Sequence, residues 1–300
     1  MVGPSRDGSR DVASAIATEN GQVQVIDNPS GRTPDALNLG IANAHSDVVV
    51  RVDAHAVLPP MYVANALETI EATGAGNVGA VQVPVGDTPA QRAIAAAMSS
   101  WLGTGGAAYR HGTSIARVDT AYLGVFRRDA LLEVGGYDQA FVRNQDAELN
   151  ARLNQAGHQV WLDPRLRVEY RPRTSLRALA WQYWQYGWWR QRSARKHRSL
   201  ALRQFVVPSA VVGVAGSVVA VGLGVTWAAV VPAVYLVAIG SSVLVVRGLS
   251  VTERLTMGAA LVTMHASWGT GFLASMLRSL RPLPENGSGD QPASAGSRST

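Results

Sequence analysis

The chain of 300 residues contains no cysteine, and this absence removes several kinds of chemistry at once. A disulfide framework, a thiolate zinc site and a cysteine nucleophile are all excluded. A chain without cysteine also suits a reducing compartment. Its length leaves room for one large domain or two ordinary ones with a sizeable core.

Charge is missing over a long stretch, from Phe205 to Val246. Each half, 205–227 and 228–246, is long enough to cross a bilayer as a helix, and a soluble fold would have to bury more than forty uncharged residues. A third segment, 255–277, is uncharged apart from His265 but contains Thr, Ser and Gly, which is typical of a span or a re-entrant segment. The sequence predicts two to three helices in a membrane region over 205–280, followed by a disordered tail over 281–300.

Arg and Lys crowd the stretch from Arg165 to Arg203, which contains a single acid, Glu169. Such a block is typical of binding to nucleic acid, anionic lipid or a polyphosphate. Its place beside the apolar segments favours membrane lipid as the partner and argues against nucleic acid. By the positive-inside rule this flank is cytoplasmic, and no apolar signal-peptide segment stands near the first residues. We therefore expect a multi-pass protein of the cell membrane, with its domain over 1–200 in the cytoplasm.

Helical patterns alternate with β-branched runs through residues 1–200, which predicts an α/β fold with a parallel, doubly wound sheet. No hydrophobic strand precedes Ser5, so the sheet is expected to lack its first strand. The predicted helices lie at 11–18, 34–42, 61–72 and from 144 onward, and the predicted strands at 23–26, 48–52, 78–83, 119–128 and 160–163.

The strand predicted at 48–52 ends in Asp53-Ala54-His55. Ligands of open α/β sheets bind beyond the carboxyl ends of the strands. A carboxylate and an imidazole at this position indicate a site for Mg²⁺ or Mn²⁺, through which a phosphate is held. A turn in which Asp53 caps the next helix explains the same residues equally well.

Two acids, Asp146 and Glu148, stand in the first turn of the helix predicted from 144, where the helix dipole favours an ionised carboxylate. Capping accounts for one of them, and the other reading is a general base that accepts a proton from an attacking hydroxyl. Arg127 and Arg128 end a predicted strand and either anchor a diphosphate or decorate the strand end.

The stretch from Ala180 to Arg190 is rich in Trp, Tyr and Gln. It is typical of an aromatic belt at a membrane surface. In a second reading Gln182, Trp184 and Trp189 bind an acceptor, since aromatic faces suit sugar rings as well as headgroups.

Seven pieces of the chain, in this order, resemble family 2 glycosyltransferases, and within them the membrane-bound succinoglycan-type glucosyltransferases of bacterial exopolysaccharide synthesis. They are IDNP at 26–29, ALNLGI at 36–41, VRVDAHA at 50–56, GVFRR at 124–128, VRNQDAELN at 142–150, QYWQYG at 182–187 and HASWGTGF at 265–272.

The resemblance implies a GT-A fold and an inverting, metal-dependent transfer of a hexose. The donor is a nucleotide-sugar, of the UDP-linked kind, and the acceptor is lipid-linked or a growing glycan at the cytoplasmic membrane face. Asp146 corresponds to the catalytic base, and Asp53 and His55 to the metal-binding motif. The resemblance further assigns Asp7, Asn38, Asp53, Arg127 and Arg128 to the donor, and Glu148, Gln182, Trp184 and Trp189 to the acceptor.

Two departures from the family pattern stand out. The residues Gln185-Tyr186 replace the Arg-Trp of the processive relatives, which argues against processive polymerisation. Val2 stands near the position of a uridine-contacting Asp, so we expect the recorded start to be too late. A polyprenyl-phosphate glycosyltransferase and an inactive, truncated membrane protein are the alternative functions.

Overall fold

The structure, a computed structural model, describes residues 1–54, 56–198 and 202–279; His55 and the predicted tail at 281–300 lie outside this part of the chain. The described strands are β1 Val48–Val50, β2 Asn77–Pro84, β3 Ala116–Arg117, β4 Tyr122–Arg127 and β5 Val160–Tyr170. The described α-helices are α1 Ser9–Glu19, α2 Thr33–Asn43, α3 Tyr62–Thr73, α4 Pro89–Ser99, α5 Trp101–Thr104, α6 Ala108–His111, α7 Arg128–Glu133, α8 Gln145–Gln155, α9 Leu176–Lys196, α10 Val206–Gly222, α11 Val230–Val245 and α12 Val251–Ser279.

The strands form one mixed sheet in the order β1-β4-β2-β5-β3. Only β2 and β5 pair in parallel, whereas β4 runs antiparallel to both β1 and β2. The expectation of an all-parallel sheet is therefore wrong, because a hydrophobic run fixes the length of a strand but not its direction. One consequence concerns the site: Val48 lies opposite Arg127, so the end of β4 meets the beginning of β1.

The strand predicted at 23–26 is also wrong. The chain there forms a single parallel bridge, between Val2 and Asp27, in which the Val2 amide donates to the Ile26 carbonyl at 2.8 Å. Val23 is 38% exposed, and its neighbours Gln22 and Gln24 are polar, so this short run has little apolar surface to bury in a sheet.

Helices cover both faces of the sheet. On one face, Tyr62 and Ala66 of α3 pack against β2, β4 and β5. On the other face, α2, α7 and α8 supply Ile41, Leu131 and Leu149 to a second core. These two layers hold the tip of β1 and the start of α8 in fixed positions.

A third core joins this domain to the apolar helices through α4, α9, α11 and α12. The helices α9 and α12 cross at close range at two glycines. A Cβ at Gly187 would lie 2.0 Å from the Trp268 carbonyl oxygen, and one at Gly271 would lie 2.1 Å from that of Trp184. An ion pair of 2.7 Å between Arg92 of α4 and Glu253 of α12 adds to this contact.

The three apolar segments predicted as membrane helices differ in the structure. Among the described residues, Thr226–Val245 alone is a helical stretch long and apolar enough to cross a bilayer, and α10 is shorter, with 17 residues. The third segment forms the continuous helix α12, whose buried face packs on α9 and α4. Gly269, Gly271 and Ser275 lie on this buried face.

Candidate active site

The polypeptide leaves the sheet directly after β1, at Arg51. The Arg51 amide still donates to the Gly124 carbonyl of β4, at 3.0 Å, and the chain then turns outward at Asp53. Because alternate residues of an extended chain point to the same side, the side chains of Arg51 and Asp53 lie together. This is the edge of the sheet at which the sequence predicts a ligand site.

Arg51 joins the two acids that the sequence singles out. Its Nη2 lies 3.0 Å from Asp53 Oδ1, and its Nη1 is bound to Asp146 Oδ1. The Arg51 side chain is only 8% exposed, whereas those of Asp53 and Asp146 are 25% and 34% exposed. The strand tip and the start of α8 thus meet through one buried guanidinium, and both acids keep an open side.

The charges of this cluster do not balance, because two carboxylates share one cation. Burial raises the pKa of Asp146, and the Arg51 guanidinium opposes that shift. Burial also disfavours the charge of Arg51, but Asp146 and Asp53 outweigh it and raise its pKa. Arg51 therefore remains a cation, and the cluster has an excess of negative charge that suits a further cation.

The segment before α8 positions Asp146 through an unusual backbone conformation. Asn144, the residue before the helix, has a φ of 58°, in the left-handed region that Asn adopts more readily than most residues. Beneath the cluster, the Tyr137 ring lies 5.8 Å from the Arg51 guanidinium carbon. The Tyr137 backbone is in turn held by Asn38, whose amide donates to its carbonyl at 2.8 Å and accepts from its N–H at 2.7 Å.

Three of the residues assigned to the donor are not brought to this cluster. Arg127 and Arg128 lie at the other end of the strands, beside the beginning of β1, where the Arg128 amide donates to the Asp47 carbonyl. The Arg127 side chain is 43% exposed and pairs with Asp129. Asp7 is exposed, and the hydrogen bonds that it accepts from Ser5 and Ser9 lower its pKa to about 2. Asn38 contacts the cluster only through Tyr137.

Glu148, assigned to the acceptor, is fully buried and sits in a closed ion-pair network. Arg152 donates to it at 2.7 Å and Lys196, at the end of α9, also at 2.7 Å. The His197 Nε2 lies 3.2 Å from the same carboxylate. This arrangement ties α8 to the carboxyl end of α9 and leaves Glu148 without an open face.

The acceptor residues of α9 have mixed surroundings. Trp189 is 4% exposed and packs on Phe141. Trp184 is half-buried and stacks between Trp181 and Trp188, at centroid distances of 5.3 and 5.2 Å. Gln182 is 8% exposed and donates hydrogen bonds to the hydroxyls of Tyr170 and Tyr186.

The residues at the tip of β1 suit a divalent cation that also binds a substrate. In the part of the chain that the structure describes, no three His, Asp or Glu side chains form a metal-binding group. Mg²⁺ sites of enzymes that act on phosphates commonly use one or two carboxylates and complete their shell with water and the phosphates. Asp53 fits this pattern, because Arg51 occupies its Oδ1 while Oδ2 has no hydrogen-bond partner among the described residues.

Arg51 is a site residue that was not predicted from the sequence, although it stands within the VRVDAHA piece. A charged residue in a run of four valines, two positions before an acid, was a usable signal. In such a run, a guanidinium is buried only where carboxylates compensate its charge.

Comparison with solved structures supports the fold. A mannosyltransferase from Pyrobaculum calidifontis, solved with GDP-Man and Mn²⁺, matches 92% of this chain and 75% of its own, with a TM-score of 0.51 at 19% identity. Together with the mixed sheet and the polar edge at β1, this likeness defines a GT-A-like glycosyltransferase fold.

The family follows from sequence comparison. Residues 3–135 match the model of glycosyl transferase family 2. The succinoglycan biosynthesis protein ExoA of Rhizobium meliloti (strain 1021) is 36% identical over 280 residues, which is 92% of this chain and 84% of the relative. The chain belongs to glycosyl transferase family 2, which confirms the resemblance inferred from the seven pieces.

Proposed function

We propose that the protein is an inverting glycosyltransferase that moves a hexose from a nucleotide-sugar, of the UDP-linked kind, to a lipid-linked or growing glycan. The observation that carries the proposal is the Arg51 guanidinium that joins Asp53 to Asp146. It sets a candidate donor-side acid and a candidate base at one edge of the sheet. The name of the relative supports a role in exopolysaccharide-type biosynthesis.

Asp146 acts as the general base in this proposal. Its Oδ1 is bound by Arg51, while Oδ2 has no partner among the described residues and is free to accept a proton. The acceptor oxygen attacks the anomeric carbon from the face opposite the leaving diphosphate. Its proton passes to Asp146, and the carbon–oxygen bond to the nucleotide breaks with its electron pair on the diphosphate. Attack from the opposite face inverts the anomeric centre.

Asp53 holds the donor side of the site. A Mg²⁺ or Mn²⁺ ion bound by Asp53, with His55 as a second ligand, supplies charge neutralisation for the leaving diphosphate. Arg51 keeps both carboxylates in place and, as a buried cation, favours the ionised form of the base.

We infer that the apolar helices hold the enzyme at the cytoplasmic face of the cell membrane. We infer that α10 and α11 enter the bilayer, since their outer valines and leucines are exposed, among them Val212 at 55%, Val219 at 63% and Leu244 at 76%. In this arrangement α12 connects the two regions, because it packs on α11 as well as on α4 and α9 of the sheet-containing domain.

A transfer assay with the full chain in detergent micelles tests the proposal. Labelled nucleotide-sugars are offered with Mn²⁺ or with EDTA, and the acceptors are a polyprenyl-diphosphate-linked sugar and a polyprenyl phosphate. We expect transfer to the linked sugar only with the metal. Asp53→Asn should weaken metal-dependent donor binding at least tenfold, while Glu71→Gln, at an exposed position on α3, should not.

Equal donor affinity of the native protein with Mn²⁺ and with EDTA would refute the metal role of Asp53. Transfer to polyprenyl phosphate in preference to the linked sugar would replace the proposal by the polyprenyl-phosphate alternative.

A further inference from the structure

A half-buried arginine, Arg110, stands in a box of aromatic residues between α6, the end of β5 and α9. Its guanidinium carbon lies 5.5 Å from the centre of the Tyr109 ring and 5.8 Å from that of Tyr170. The Nε and Nη1 atoms of Arg110 are buried and have no hydrogen-bond partner among the residues that the structure describes. In the part of the chain that the structure describes, no carboxylate forms an ion pair with Arg110, so this cation lacks a compensating charge.

The polar groups beside Arg110 are also rich in donors. Gln182 Nε2 donates to the Tyr170 hydroxyl at 2.9 Å and to the Tyr186 hydroxyl at 3.0 Å, which leaves both phenolic protons without an acceptor among the described residues. If the Gln182 amide is rotated by 180°, its oxygen accepts both phenolic protons and its two N–H groups are left over instead. Either orientation therefore leaves two donors.

The charge of a second arginine, Arg143, acts on the same box. Burial raises the pKa of Tyr186, and the positive charges of Arg110 and Arg143 oppose that shift, so both cations act on the same phenol. Arg143 is exposed and stands three residues before Asp146. The same box contains Gln182 and Tyr186 of α9, the helix that crosses α12.

Two cations and surplus N–H and O–H donors are the surroundings that a multiply charged anion requires. Phosphate oxygens accept several such bonds at once, and arginine is the usual residue that binds them. The tyrosine rings add faces on which a sugar or an isoprenoid group can pack.

We propose that Arg110, with Arg143 and the Tyr170, Gln182 and Tyr186 group, binds the phosphate groups of a lipid-linked acceptor. This subsite rests on the proposed function, since it names the part of the acceptor that the enzyme holds. In this proposal Asp146 activates a hydroxyl of the sugar attached to that diphosphate, and the lipid chain follows α9 toward the apolar helices that pack with it.

Binding in the absence of turnover tests the subsite independently of the transfer reaction. The probe is farnesyl diphosphate, a short polyprenyl diphosphate, titrated calorimetrically into the full chain in detergent micelles with EDTA present to suppress metal-dependent donor binding. We expect Arg110→Gln to weaken binding at least tenfold. Arg117→Gln, which removes an exposed arginine of β3, should leave it unchanged.

Two further measurements separate the possible sources of the effect. Tyr170→Phe removes one donor without changing the ring and should weaken binding several-fold, which covers the case in which Arg110→Gln fails to fold. Farnesol should bind equally to the native chain and to Arg110→Gln, because it lacks the anion.

The proposal is overturned if Arg110→Gln and the native chain bind farnesyl diphosphate equally, or if the native chain does not bind it. It is also overturned if UDP displaces the probe in EDTA and Arg110→Gln weakens UDP binding to the same extent, because the arginine would then belong to the donor site. A transfer reaction that fails while this binding is found would count against the proposed function alone.

Discussion

Asp146 and Glu148 stand two residues apart in the first turn of α8, but their surroundings differ in nearly every respect. Asp146 is 34% exposed and shares the Arg51 cation with Asp53, so that two carboxylates of this cluster face one cation. Glu148 is 0% exposed. It is bonded to Arg152 and Lys196, so its charge is fully compensated.

The pKa directions of the two acids differ accordingly. Burial raises the pKa of Asp146 in spite of Arg51. Burial acts in the same sense on Glu148, but hydrogen bonds from Arg152 and Lys196 outweigh it and bring the pKa of that carboxyl below its ordinary value. Two carboxylates whose surroundings move their pKa values apart have different tasks. The open, undercompensated one suits chemistry, and the closed one joins α8 to α9.

The largest expected effect is on catalysis. Asp146→Asn removes the proposed base while keeping shape and hydrogen bonding, and we expect the rate of transfer to fall by about 10²- to 10⁴-fold, the usual contribution of a general base. Donor binding with Mn²⁺ should survive within a few-fold, because Asp53 is unchanged. Initial rates and donor titrations with the same preparation measure both quantities.

Glu71→Gln provides the control for Asp146→Asn, since Glu71 is an exposed carboxylate of α3 far from α8 in the chain. A transfer rate for Asp146→Asn within threefold of the native enzyme would remove Asp146 from the role of base. The contrast with Glu148 would then lose its functional meaning.

The next effect is on stability. Glu148→Gln leaves the cations of a buried ion-pair network without their central carboxylate, and breaking such pairs costs about 3–5 kcal/mol of the free energy of unfolding. Denaturant titration in micelles at neutral pH measures it. Glu133→Gln disrupts an exposed pair with His158 and should cost at most about 1 kcal/mol.

The difference in the free energy of unfolding between the native chain and Glu148→Gln should also depend on pH. Because the pKa of Glu148 is lower in the folded chain than in the unfolded one, its contribution is complete above the unfolded value of about 4.3. It is lost as the pH falls through the folded value. The stability gap between the native chain and Glu148→Gln should therefore narrow below about pH 4. A gap that stays constant through this range would mean that the carboxylate charge is not what stabilises the network.

The sequence was sufficient to predict both members of the Asp53–Asp146 pair, because each stands at a local signal. Asp53 ends a run of valines, and Asp146 begins a helix. The sequence did not indicate that Arg51 joins these two acids. Arg51 and Asp146 are 95 residues apart in the chain, and no local pattern predicts a contact over such a separation. The identity of the acids was local information, and their pairing was not.

Strand direction was the second limit. A strand was predicted at 119–128, and the structure has β4 at Tyr122–Arg127, but nothing in the composition of this run shows that β4 runs antiparallel between β1 and β2. That direction decides where the strand's last residues lie. Arg127 and Arg128 were assigned to the donor together with Asp53, but the structure places them at the other end of the strands.

The smallest expected effect follows from this reversal. Arg127 lies opposite Val48, at the beginning of β1, and its exposed side chain pairs with Asp129 two residues away. Arg127→Gln should leave donor affinity within twofold and change the free energy of unfolding by less than about 1 kcal/mol. Arg51→Gln, the matched change at the other end of β1, should abolish transfer because both Asp53 and Asp146 lose their common partner. If Arg127→Gln instead weakened donor binding tenfold, the donor would have to contact the beginning of β1, and the assignment of the site to the end of β1 would be wrong.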